Sequence, residues 1–344
     1  MTTTDRPRTP DPGPRTLQRP RRNRATPARR ALVRETLLTP ADLVLPLFVH
    51  DHPAEPIASM PGCFRQPIDG VVATAREAWA LGIPAVAIFP KVPEPLKDPR
   101  GSAATDPEGL VPRTVRALKA ALPGLVVITD VALDPYSSDG HDGVVEGSRI
   151  LNDETLPLLA AMAVAQAQAG ADLVAPSDMM DGRVAAIRTA LDAAGFIEVG
   201  ILSYCVKYAS AFYGPFRDAL DSAPRPGRPT DKLTYQMDPA NVREGLREVA
   251  LDEAEGADVL MVKPGLPYLD VIRQVREATA LPVAAYHVSG EYAMLKAAAD
   301  RGWLDYDKCL LESLVCLKRA GADMIFTYGA IDAARLLKAH VALR

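Results

Sequence analysis

Residues 256–263 read Gly256-Ala257-Asp258-Val259-Leu260-Met261-Val262-Lys263. A turn-forming glycine leads into an apolar run that ends on a lysine. The same Gly-Ala-Asp opening stands at Gly170-Ala171-Asp172 and at Gly321-Ala322-Asp323, each just before another apolar run. Leu81-Gly82-Ile83 plays a similar part earlier in the chain. Glycine is favoured just past a helix C-terminus, where the chain turns left-handed. Each copy therefore marks a helix ending and a strand beginning.

Eight such runs follow one another: Leu43–Val49, Ala85–Phe89, Leu125–Val131, Leu173–Ser177, Val199–Tyr204, Val259–Lys263, Val283–Val288 and Met324–Tyr328. The segments between them are mostly Ala/Leu-rich and helical in pattern, as at Thr155–Ala169 and Val242–Glu255. Continuous Val/Ile/Leu runs separated by helices indicate parallel strands buried on both faces. Eight units predict an α/β fold of the (β/α)₈ TIM-barrel type with an extended N-terminal arm. A doubly wound sheet is the alternative, but no GxGxxG follows the first run and the chain has no P-loop.

The 344 residues are 48% hydrophobic and 24% charged, with mean hydropathy near zero, as in ordinary globular proteins. No apolar run reaches the roughly 18 residues of a membrane-spanning helix, and the basic N-terminus lacks a signal-peptide core. The net charge is −4. Nine Arg against Asp5 and Asp11 make residues 1–30 strongly basic, so the remainder is acidic and a poor surface for duplex nucleic acid. The division expected is an arm over 1–30 and a catalytic barrel over 31–344. The arm holds six Pro and almost no apolar side chains. Its readings are a solvated tail, an arm that folds on a neighbouring subunit, or a nucleic-acid tail. Cys63, Cys205, Cys309 and Cys316 form no CxxC, which points to a reducing, cytoplasmic home.

Active sites of such barrels lie at the C-terminal ends of the strands. Run five leads into Lys207 and run six ends on Lys263. Neighbouring strands are about 4.8 Å apart, so both lysines can face one pocket. A lysine beside apolar walls and another cation loses some preference for its charged form, and its free amine can attack a ketone to give a Schiff base. Run three ends in Asp130, Asp134, Asp139 and Asp142, with His141 among them. These carboxylates suit a substrate ammonium, proton transfer or a hard cation. After Lys207 a long Pro/Gly/Arg-rich stretch suits a lid, where Arg217 and Lys232 can clamp a carboxylate. Ser289 and Tyr328, after runs seven and eight, can bind a second carboxylate.

Together the stretches LVLPLFV, SYCVKYASAFYGPFRDA, TYQMDPAN, GADVLMVKP and YHVSGEYAM resemble, in order and spacing, the porphobilinogen synthase (5-aminolevulinate dehydratase) family. The resemblance runs from about Arg30 to Arg344. It implies condensation of two 5-aminolevulinate molecules with loss of two waters, early in tetrapyrrole and haem synthesis. It also implies a homo-oligomer, usually an octamer, whose arm wraps a neighbour. By motif match Lys207 forms the Schiff base in the A site and Lys263 in the P site. Arg217, Lys232 and Gln236 would hold the A-site carboxylate, and Ser289 and Tyr328 the P-site one. Zinc-dependent members carry three cysteines where this chain has Ala132, Asp134 and Asp142, so no active-site zinc is expected. Asp130, Asp134 and Asp142 would bind the A-site amine, move protons or hold a cation. Lys232 stands where many members have Arg. Glu248 matches the residue that holds a stimulatory, hydrated Mg²⁺ in some members. Other lysine Schiff-base barrels, such as class I aldolases, need one imine lysine rather than two. A non-catalytic barrel would have no need of the pair.

Overall fold

The computed structural model describes residues 18–225 and 227–342. Eight parallel strands close on themselves: β1 (Leu43–Val49), β2 (Ala85–Pro90), β3 (Val126–Val131), β4 (Leu173–Pro176), β5 (Gly200–Lys207), β6 (Val259–Lys263), β7 (Val283–His287) and β8 (Met324–Thr327). Closure is made where β8 pairs with β1, Ile325 opposite Leu43 and Phe326 opposite Val44. The (β/α)₈ barrel is therefore the architecture, and the doubly wound alternative falls away. The two helical segments read from the sequence appear as Leu156–Gln168 and Arg243–Ala254.

The Gly-Ala-Asp repeat has a double role. Gly170, Gly256 and Gly321 all have positive φ, as the helix-ending turn requires. Each following aspartate then reaches the preceding strand. A carboxylate oxygen of Asp172 accepts the Val127 N–H at 2.7 Å, Asp258 that of Ile201 at 2.7 Å, and Asp323 that of Val283 at 2.9 Å. The backbone N–H of each aspartate donates back to the carbonyl of the same residue. Three of the strand-to-strand steps are thus pinned at the bottom of the barrel by one repeated contact.

Strand side chains alternate between two cores. Val44, Phe48, Ala87, Phe89, Ile128, Ala175, Leu202, Tyr204, Met261, Ala284, Tyr286 and Phe326 fill the barrel interior. Leu45, Leu47, Val86, Ile88, Val127, Val174, Ile201, Leu260, Val262 and Ile325 face the helices. Interior positions are apolar at the bottom and turn polar at the C-terminal ends, where Asp130, Lys207 and Lys263 are buried.

The compact barrel unit starts at Leu38, and the described residues before it, 18–37, form a separate unit. Residues 1–17, where much of the disordered or wrapped reading falls, lie outside the described residues. The described part of the arm carries local structure: a 3₁₀ turn over Pro20–Arg24 and a helix over Pro27–Leu32. Thr26 caps that helix by accepting the Arg29 N–H, and Pro27 opens it. Among the described residues no helix is long and apolar enough to cross a membrane.

Candidate active site

One pocket at the C-terminal mouth is lined by Asp130, Asp134, Ser177, Lys207, Tyr213, Phe216, Arg217, Ser222, Lys232, Gln236 and Lys263. Seven of the residues singled out in the sequence therefore share one site. Lys207 and Lys263 are register partners on β5 and β6. Their surroundings differ sharply.

Lys263 projects into an aromatic box. Its Nζ lies 4.7 Å from the ring centre of Tyr286, 4.9 Å from Phe216, and 5.1 Å from each of Tyr204 and Tyr213. Burial, then the positive charge of Lys207, lowers its pKa from the ordinary lysine value to about 7, against the pull of Asp130. Burial also keeps the phenols of Tyr204, Tyr213 and Tyr286 well above their usual range, so the box stays uncharged. With its pKa near 7, a substantial fraction of this amine is uncharged at neutral pH, the form able to act as a nucleophile.

Lys207 sits among oxygens. It donates to the Ser177 carbonyl and stands 3.5 Å from Asp142 Oδ2. Asp142 also accepts from Lys232 Nζ at 2.8 Å, and Asp134 lies 3.4 Å from the same ammonium. Burial opposes the ionised form of Asp142, but Lys207 and Lys232 outweigh it and hold the carboxyl well below its usual range. Burial likewise opposes the Lys232 ammonium, yet Asp134 and Asp142 keep it above the usual lysine range. Asp130 is the reverse case. Burial and the Asp134 charge push its carboxyl up to about 7, with Lys207 pulling the other way, and its Oδ1 is buried without a partner. Asp134 is raised too, by burial against the opposing Lys232. The loop thus holds one carboxyl kept ionised by its lysines, Asp142, and two whose neutral form burial favours, Asp130 and Asp134.

The segment expected as a lid runs between Tyr208 and Met237, two residues joined by a β-bridge, and gives Tyr213, Phe216, Arg217, Ser222, Lys232 and Gln236 to the pocket lining. Arg217 lies on its helix Gly214–Leu220, which Arg65 fastens to the barrel through the carbonyls of Ala219 and Asp218, at 2.6 and 2.7 Å. Gly140 of the β3 loop packs flat against this lid. It has φ +73°, and a Cβ there would stand 2.2 Å from the Ala223 carbonyl oxygen. Gln236 lines the pocket with its Oε1 buried and unpartnered, an acceptor in want of a donor.

Ser289, Tyr328 and Glu248, also singled out in the sequence, lie outside this pocket. Ser289 accepts the Phe216 N–H at 3.0 Å and donates to the Phe212 carbonyl at 3.3 Å, under the start of the lid. Tyr328 shares a hydrogen bond of 3.0 Å with Tyr286 and faces a second cavity beside Phe48, Cys63 and Tyr292. Phe216 packs against Phe48 and Phe89 and approaches Lys263. Glu248, on the helix Arg243–Ala254, is half-buried and apart from the pocket. Burial raises its carboxyl to about 7, against the opposing charge of Arg183. Sequence reasoning missed the aromatic box and the Ser177 carbonyl. Tyr204, Tyr213, Phe216 and Tyr286 all stand inside the quoted motifs, but nothing local says that four rings from three segments converge on one amine.

Residues 17–336 match the family profile described as delta-aminolevulinic acid dehydratase. The chain belongs to the delta-aminolevulinic acid dehydratase family. The chloroplastic family enzyme of Glycine max is 59% identical over 323 residues, 93% of this chain and 78% of that one. That of Chlamydomonas reinhardtii is 56% identical over 328 residues, 93% and 84% of the two chains. The crystal structure of the Toxoplasma gondii dehydratase (porphobilinogen synthase), in complex with its reaction product porphobilinogen, superposes with a TM-score of 0.91 at 54% identity, covering 93% of this chain and 91% of that one. The cytoplasmic expectation is corrected by these comparisons. The similar dehydratases of Glycine max, Selaginella martensii and Physcomitrium patens are chloroplastic by name. A cysteine census addresses thiol redox state and carries no information on which reducing compartment holds the protein.

Proposed function

We propose that Lys263 and Lys207 are the P-site and A-site imine formers with which this chain condenses two molecules of 5-aminolevulinate. The activity is that of its family: a lyase, porphobilinogen synthase, which forms porphobilinogen with loss of two waters in tetrapyrrole and haem biosynthesis. The observation that carries the residue assignment is the register pairing of the two lysines in one buried pocket. Two ketones call for two amines. Each amine attacks a carbonyl carbon and the carbonyl oxygen leaves as water. Tethering both substrates makes the ring-forming steps intramolecular.

Asp130 is the proton carrier in this reading, because its carboxyl changes state near neutrality. Asp134 and Asp142 hold Lys232 and receive the A-site amine. Lys232 already supplies positive charge between them, which disfavours a divalent metal ion there. Arg217, Lys232 and Gln236 take the A-site carboxylate. Ser289 and Tyr328 take the P-site carboxylate once Phe216 and the lid segment shift.

Glu248 is assigned to a hydrated, stimulatory Mg²⁺. Its carboxyl is raised by burial, and Asp252 and Asp181 add to the negative field, so a divalent cation would restore its ionised form. Among the described residues no group of three or more His, Cys, Asp or Glu side chains is placed to hold a metal. Mg²⁺ commonly keeps most of its own waters, so one carboxylate can suffice to hold it. A bound Mg²⁺ would supply positive charge at this outer site. The partner proposed is a second copy of the chain, up to an octamer, and the exposed Leu32, Val33 and Leu37 of the arm suit such a contact.

The test is porphobilinogen formation from 5-aminolevulinate in metal-free buffer, with Mg²⁺ or Zn²⁺ restored separately. A rise with Mg²⁺ and indifference to Zn²⁺ is expected. Restoration by Zn²⁺ alone would overturn the metal reading.

A further inference from the structure

One imidazole fastens the working part of the lid to the loop after β3. His141 is fully buried. Its Nε2 lies 2.8 Å from the Pro229 carbonyl oxygen and its Nδ1 3.1 Å from the Tyr235 hydroxyl. A carbonyl can only accept, so Nε2 carries the proton. In the neutral ring Nδ1 then accepts from the Tyr235 hydroxyl, whose oxygen accepts the Asp142 N–H at 3.4 Å. Both ring nitrogens are therefore spent on the lid.

The neighbours in sequence give this contact its meaning. His141 precedes Asp142, which pairs with Lys232 and faces Lys207. Tyr235 precedes Gln236 and follows Lys232 by three residues. Neither His141 nor Tyr235 lines the pocket. We infer that His141 and Tyr235 form a clasp that holds lid segment 229–236 in the register aiming Lys232 and Gln236 at the second substrate. They are positioning residues that set its affinity without touching it. The inference rests on the A-site reading of Lys232 and Gln236 above.

Separate ties hold the rest of the lid. Arg228 Nε meets Asp139 Oδ1 at 2.8 Å, the Arg225 N–H donates to the Asp139 carbonyl at 3.2 Å, and Arg65 holds the lid helix. Loss of the clasp should therefore loosen 229–236 and leave the barrel folded.

The test compares His141→Phe, Tyr235→Phe and the double variant, read by the substrate dependence of porphobilinogen formation. Borohydride trapping with 5-aminolevulinate, mapped by peptide mass spectrometry, follows each lysine. The expected result is KM raised about tenfold in each single variant, because each leaves a buried polar partner unpaired. Maximal rate should stay within about twofold. The adduct at Lys263 should persist while that at Lys207 weakens, and the double variant should be no worse than either single one. His141→Asn, which keeps an acceptor near Nδ1, should recover part of the loss. Unchanged KM, a loss confined to kcat, or additive effects would overturn the clasp. If His141→Phe fails to fold, Tyr235→Phe alone decides by the same criteria. Lys232→Ala separates the two readings: if it leaves KM unchanged the A-site assignment fails, and if it raises KM while the clasp variants do not, only the clasp fails.

Discussion

Lys207 and Lys263 face each other across adjacent strands because β5 carries one residue more than β6 between their shared contacts. Ser203 pairs with Leu260 and Val206 with Val262, so three steps on β5 match two on β6. Leu202 and Tyr204 point into the barrel, whereas Cys205 and Val206 both belong to the core against the helices. A strand of strict period two would have turned Lys207 outward with Cys205. The bulge resets the alternation and brings the lysine inside. Val259, Met261 and Lys263 keep the unbroken period on β6.

Lys263→Ala should abolish turnover, by about 10³-fold or more, since the nucleophile itself is removed. Its circular dichroism spectrum should match that of the parent chain. Borohydride trapping at position 263 should vanish. Turnover at the parent rate would exclude the Schiff-base role.

Imine formation at Lys263 should depend on pH with an acid limb. Its pKa is lowered to about 7, so the free amine dominates above that value and is protonated below it. The trapping rate should fall by about tenfold per pH unit below pH 7 and level off above it. An ordinary lysine would instead keep gaining reactivity to about pH 10. A profile that climbs without a break through that range would contradict the aromatic-box account.

Asp130→Asn keeps the shape of the side chain and removes its proton exchange. Maximal rate should drop by about 10²- to 10⁴-fold with little change in KM. An effect on KM alone would mean that the carboxyl binds substrate and moves no proton.

Gly140→Ala adds a Cβ that would stand 2.2 Å from the backbone oxygen of Ala223, at a positive φ as well. Backbone cannot swing aside as a side chain does, so the lid should lift. A cost of about 1–3 kcal/mol is expected, seen as a raised KM and as faster proteolysis within residues 221–232. An unchanged KM would show that the lid tolerates the displacement.

Arg217→Ala should weaken use of the A-site substrate by removing one carboxylate partner, again as a raised KM. The adduct at Lys263 should be unaffected. Equal loss at both lysines would place Arg217 elsewhere in the reaction.

The barrel was legible in the sequence because its signals are local. Apolar runs buried on both faces, helix-ending glycines and the Gly-Ala-Asp repeat each act within a few residues, and all three agree. The lysines, the aspartate loop and the lid were legible for the same reason, each lying in one continuous motif. What the tertiary structure decided is convergence. The inward turn of Lys207 depends on a bulge that only pairing with β6 reveals. The lowered pKa of Lys263 comes from burial among rings contributed by β5, the lid and β7. The different states of Asp130 and Asp142 follow from which ammonium each one meets. Desolvation and Coulomb energy depend on distance in space, and spacing along the chain does not record that distance.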